Sequence, residues 1–187
     1  SPWVTLAYLL FVFVPLAFLP PGLGRALLAS GVAIALFLPL HFRFYRSTAR
    51  ERPWLVVGVA LVGLGLLPFN PGGNTFLVYA CAMAAWSFRP RRAVLVSAAL
   101  LLVMALLFWW LMPTPQLALA WSVMATMVAG LVLAGSLYSR DKARRNAELR
   151  LTQQEVARLA AMAERERIGR DLHDLLGHTL SVVALKS

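Results

Sequence analysis

The sequence predicts an all-α membrane protein, a bundle of six transmembrane helices continuing into one long cytoplasmic helix. Three observations carry that prediction. Of the 187 residues, 60% are hydrophobic and only 14% charged, whereas a soluble domain of this length carries more charge and clearer surface alternation. Six apolar runs are joined by loops too short to fold as separate domains. Basic and neutral loops alternate strictly along the chain, as expected for a multi-pass protein.

The runs cover residues 3–19, 26–40, 54–67, 75–88, 93–111 and 117–138. A helix crossing the hydrocarbon core needs about 20 residues, and several runs approach that length. The first lacks a basic leader and a small-residue cleavage site after Phe18-Leu19-Pro20-Pro21, so it reads as a span and not a secretory signal. The third and fourth are short and flank a strong turn signal, Pro68-Phe69-Asn70-Pro71-Gly72-Gly73-Asn74. Two full spans and a buried re-entrant pair both fit there. Gly58, Gly63 and Gly65 allow close helix packing in the third run, although no G-x-x-x-G is present.

Loop charges set the orientation. Loop 41–53 carries Arg43, Arg46, Arg50 and Arg52, loop 89–92 carries Arg89, Arg91 and Arg92, and Arg140, Lys142, Arg144 and Arg145 follow the last run. Loops 68–74 and 112–116 are uncharged, and loop 20–25 has only Arg25. Positively charged loops stay inside, which predicts six spans with both termini cytoplasmic. The formal net charge of +10 therefore reads as topology and not as a nucleic-acid surface. No Asp, Glu, Lys or Arg lies within the runs, which argues against an ion or proton pathway. A signal would have to arrive through lipid, a hydrophobic ligand or a membrane partner. Trp3, Trp54, Trp109, Trp110 and Trp121 near run ends suit an interfacial belt. His41, at a membrane boundary among arginines, is expected to do nothing chemical. The single cysteine, Cys81, excludes a disulfide within one chain.

The composition changes after Ser139. Up to that point there are eight Arg and a single acid, Glu51; from Arg140 onward acids and bases interleave. No proline follows Pro115, and residues 140–187 are rich in good helix formers. A continuous helix there would reach about 70 Å at ~1.5 Å per residue. These shifts divide the chain into 1–138, 139–163 and 164–187. Leu149, Thr152, Val156, Leu159 and Ala163 form one 3-4-3-4 seam, and Ile168, Leu172, Leu175, Thr179 and Val182 form a second. The second begins five residues after Ala163, so the two are out of phase and neither register suits the whole rod. Such a conflict fits a two-state element, as well as a fixed seam break near Gly169.

The last stretch reads Glu164-Arg165-Glu166-Arg167-Ile168-Gly169-Arg170-Asp171-Leu172-His173-Asp174-Leu175-Leu176-Gly177-His178-Thr179-Leu180-Ser181. It resembles the phospho-acceptor box of the DesK-like sensor histidine kinases, whose pattern runs roughly E-R-x-R-I-A-R-[DE]-L-H-D-x-x-G-[HQ]-x-L. Gly169 replaces the usual Ala, a change that costs about 1 kcal/mol inside a helix. The resemblance implies a bacterial inner-membrane protein-histidine kinase of a two-component system. Residues 1–138 would then be its transmembrane sensor, 139–163 a signal-transmitting helix, and 164–187 the start of the dimerisation and phosphotransfer domain. It implies His173 as phospho-acceptor, and Asp174 and His178 as a pair supporting dephosphorylation of a response regulator. A homodimer and a cognate response regulator are the implied partners. ATP and Mg²⁺ would be bound by a domain further along a longer parent, because no P-loop, Asn-box or Gly-rich ATP lid occurs here; the chain alone is expected to be inactive.

The residues themselves suit that chemistry. Neutral imidazole, with an unperturbed pKa of about 6.5, is a competent nucleophile. Asp174 beside it can take the ring proton as a bond to phosphorus forms. Asp174 and His178, four apart, share a helix face. A zinc pair of His173 and His178 is disfavoured, since five residues turn a helix by about 140°. Without the flanking motif, His173 and His178 would read as solvated surface residues. The rival functions are a small transporter or channel with a helical tail, or a non-catalytic membrane scaffold for another kinase.

Overall fold

In the computed structural model of the chain, the backbone is described for residues 2–18 and 22–186, and side chains for residues 3, 5–17 and 22–168. The described residues are helical and include no strand. A single turn, α1 (Pro2–Thr5), leads into 3-10 segments Leu6–Val12 and Val14–Phe18; α2 (Leu23–Arg46), α3 (Arg52–Leu66), α4 (Asn74–Ser87), α5 (Pro90–Leu111) and α6 (Pro115–Lys186) follow. Prolines punctuate the starts. Pro53, Pro90 and Pro115 each stand in a first turn, where the missing N–H has no helical partner to lose.

Among the described residues, three helical stretches are long and apolar enough to cross a membrane, namely Leu23–Arg46, Pro90–Leu111 and Pro115–Ile168. Helices α3 and α4, of 15 and 14 residues, reach only about 20–23 Å at 1.5 Å per residue. The first apolar run is wound mostly as 3-10 helix, with a break at Phe13. Pro15 has no N–H to donate, which disfavours a regular α-helical ladder there. The 3-10 rise of about 2.0 Å per residue also stretches a short run further than an α-helix would.

The chain divides into two units, Ser1–Arg140 and Asp141–Ser187. In the first, α4 lies deepest, with Phe76, Leu77, Ala80, Cys81, Ala84 and Ala85 wholly buried. It packs between α3 and α5, and α3 in turn packs on α2. Phe37 of α2 reaches α4 at Phe76 (5.1 Å between ring centres) and Tyr79 (4.7 Å). The α3–α4 connection is tight because backbone meets backbone. A Cβ on Gly73 would lie 2.6 Å from the Gly63 carbonyl oxygen, and one on Gly63 would lie 3.0 Å from that of Gly73. The N-terminal run lies antiparallel to α2, with Trp3 against Phe42 (5.1 Å) and Thr5 beside His41. The bundle part of α6 presents small residues inward: Ala118, Ala125 and Ala129 are buried, and Trp121 meets Phe108 at 6.4 Å.

The second unit is one helix, and every residue from 141 to 168 is exposed. The described apolar side chains of this unit join no core. Leu149 and Val156 are each 60% exposed and Leu159 57%. Asp141–Arg145 and Glu164–Arg167 pair along its surface.

Candidate functional site

Positions 173, 174 and 178 fall on the helical backbone of α6. The side chains of His173, Asp174 and His178 lie outside the described residues, as do those of Leu172, Leu175, Thr179 and Val182 in the second seam. The approach to them is described. Arg167 Nε donates to Glu164 Oε2 at 3.0 Å and Nη2 to Oε1 at 2.7 Å, the fork geometry that matches guanidinium to carboxylate. Arg167 holds the Glu164 carboxyl below the usual carboxylate range, and Glu164 in turn raises the guanidinium. In the first seam the Thr152 hydroxyl donates to the Glu148 carbonyl at 3.1 Å, back onto its own helix.

The bundle holds polar contacts that residue order did not reveal. The Pro68–Asn74 turn folds inward, and Asn70 is wholly buried. Its Nδ2 donates to the Val12 carbonyl (2.8 Å) and to Ser30 Oγ (2.9 Å), while its Oδ1 accepts the Gly72 N–H (2.9 Å). The Ser30 hydroxyl in turn donates to the Ala26 carbonyl at 2.7 Å. Burial of such groups is tolerated because each is paired. His41, expected at a boundary among arginines, is 2% exposed. Its Nε2 lies 3.2 Å from Thr5 Oγ1, and Phe37, Phe42, Tyr45 and Tyr79 surround the ring. The Tyr79 hydroxyl donates to the Thr5 carbonyl. Arg140, read from the sequence only as a topology charge, donates to the carbonyls of Ala85 and Phe88.

Two comparisons with known proteins find a match. A family model described as histidine kinase matches residues 164–187. Over 66 residues the chain is 39% identical to the sensor histidine kinase DesK of Bacillus subtilis (strain 168), a stretch amounting to 35% of this chain and 18% of that protein. The chain thus matches less than a fifth of that relative's length. No solved structure matches. Both findings bear out the resemblance read from residues 164–181. The similarity is to the sensor histidine kinases, and among them to the DesK-like kind.

Proposed function

We propose that this chain is the membrane sensor and signal-transmitting part of a two-component histidine kinase, with His173 as its phospho-acceptor. The observation that carries the reading is the histidine kinase match at 164–187 on the same helix that supplies an apolar, membrane-length stretch. Residues 1–138 sense, 139–163 transmit, and 164–187 begin the dimerisation and phosphotransfer domain. The six-span arrangement with cytoplasmic termini is supported by the alternation of loop charge and by the antiparallel pairing of the N-terminal run with α2.

In the longer parent, ATP bound with Mg²⁺ supplies the γ-phosphoryl group. A ring nitrogen of His173 attacks the γ-phosphorus, the N–P bond forming as the bond to the bridging oxygen breaks and ADP leaves. Asp174 takes the proton from the other ring nitrogen. The phosphoryl group then passes to an aspartate of the response regulator, and His178 orients the water that later removes it. Two copies pair through the exposed Leu149-Thr152-Val156-Leu159-Ala163 seam. The out-of-phase seam beyond it provides a second packing, so that a movement of the sixth span selects one and thereby exposes or withholds His173.

The test uses the full-length parent with labelled ATP and Mg²⁺. His173→Gln abolishes acid-labile, alkali-stable labelling, and Asp174→Asn slows it by about 10²–10⁴-fold. Full labelling of the His173 variant overturns the assignment. His178→Ala loses phosphatase activity in preference to kinase activity. Reporter fusions after residues 48 and 90 read cytoplasmic and those at 71 and 114 external; an external signal at 90 overturns the six-span arrangement.

A further inference from the structure

Helix α4 is the most deeply buried of the bundle, yet its last turn holds no basic residue of its own. The final carbonyls of a helix have no partner inside it and form the negative end of its dipole. Some are satisfied locally. The Phe88 N–H returns to Ala84, and the Ser87 hydroxyl donates to Met83 at 2.7 Å. The Ala85 and Phe88 carbonyls are met from another helix instead, by the Arg140 guanidinium of α6. Arg140 is also the last residue of the first unit. Between Ala129 and Arg140 no residue of α6 is fully buried, and only Val132, Leu133, Ser136 and Leu137 are half-buried, so the Arg140 hydrogen bonds add a polar attachment where apolar packing is thin.

We infer that Arg140 is a positioning residue that ties the base of α6 to the end of α4 and thereby sets the activity of the phospho-acceptor segment. This rests on the histidine kinase reading above. Helix α4 is hydrogen-bonded to the N-terminal run at Tyr79, which meets Thr5, and the turn before it at Asn70, which meets Val12. A displacement of that run therefore reaches Arg140 through one helix. The guanidinium is a rigid fork of donors, so a slide of about one helical rise, ~1.5 Å, exchanges or breaks its carbonyl partners and releases the base of α6.

The experiment uses the full-length protein in phosphatidylcholine/phosphatidylglycerol vesicles and reads two quantities. One is the initial rate of His173 labelling from ATP. The other is the distance between spin labels on cysteines replacing Trp86 and Tyr138, in a Cys81→Ser background. Arg140→Ala changes the labelling rate about fivefold or more in either direction, the scale of a typical coupling between sites, and broadens a narrow distance distribution. Arg140→Lys, which keeps the charge but loses the fork, falls between. The double variant Ser87→Lys/Arg140→Ala gives α4 its own C-terminal cation without restoring the link, and its labelling rate stays altered. An Arg140→Ala rate within about twofold of the parent, below any usual coupling, overturns the inference. So does recovery of the parental rate in the double variant, which would reduce Arg140 to a cap for α4. If the unaltered protein does not label at all, the kinase reading falls and the distance arm alone decides the tether: broadening upholds it, and an unchanged distribution removes it.

Discussion

The two units of this chain solve the problem of apolar side chains in opposite ways. In Ser1–Arg140 many of them face inward around α4, and two of the polar groups buried with them, Asn70 and Ser30, are hydrogen-bonded to each other and to the backbone. In Asp141–Ser187 the described apolar residues all stand exposed, including Leu149, Val156 and Leu159. A helix without a packed face draws little stability from its own propensity. The described part of the unit that carries the histidine kinase match therefore lacks the packing contacts that hold the bundle together.

The largest expected effect breaks the exposed helix. A cysteine at Thr152, in a Cys81→Ser background, should cross-link between two copies of the full-length protein. Val156→Glu with Leu159→Glu should abolish that cross-link, because each copy loses two apolar side chains whose burial contributes about 1.5–3 kcal/mol apiece and gains two charges. Persistent cross-linking in the double variant removes this seam as an interface.

The next effect falls inside the bundle. Asn70→Leu leaves the Gly72 N–H and the Val12 carbonyl without their partner in a buried site, at a cost of about 1–3 kcal/mol each. Thermal unfolding of the whole chain in detergent should show a drop of several degrees, with Ser30→Ala dropping less. Unchanged unfolding of the Asn70 variant would mean that the turn does not hold the bundle together.

Local signals and long-range contacts divide what the sequence revealed. The prolines at 53, 90 and 115, the apolar runs and the 68–74 turn are local, and helix boundaries follow them closely. The phospho-acceptor motif is also local, a run of consecutive residues. The winding of the first run was not legible, since a 3-10 segment and an α-helix share nearly the same apolar pattern. Asn70 to Val12, Tyr79 to Thr5 and Arg140 to Ala85 join positions 58, 74 and 55 residues apart. No periodicity within one segment can announce such pairs. Arg140 is the plainest case, for its charge fits the orientation rule so well that nothing asks for a second role.

Glycines sharpen the comparison at a smaller scale. Gly73→Ala would place a Cβ 2.6 Å from the Gly63 carbonyl and 3.0 Å from the Leu67 nitrogen. Both are backbone atoms, so the α3–α4 turn must shift, at a cost of about 1–3 kcal/mol. Gly65→Ala meets nothing within 4 Å, and should stabilise α3 by up to about 1 kcal/mol through helix propensity alone. Unfolding midpoints moving in opposite directions are the expected result. Equal changes would mean that the close approach of α3 to the turn is not a constraint.

The smallest expected effect concerns the ion pair at the head of the histidine kinase match. Glu164 and Arg167 are joined by two hydrogen bonds, yet both are exposed, where salt and water weaken such pairs. The Glu164 carboxyl is held below its usual range by Arg167. Its contribution to the helix is therefore present above the ordinary carboxylate pKa of about 4.3, and is lost as pH falls through the lowered folded value. At neutral pH, Glu164→Gln should leave amide exchange across 160–168 nearly unchanged. The variant and the parent should converge further in strong salt or acid. A large loss of protection in Glu164→Gln at neutral pH would break the comparison, because the helix would then be held by its own surface pairs. A helix left intact while His173 labelling falls would instead assign the pair to a partner surface, and Arg167→Gln should then reproduce that loss.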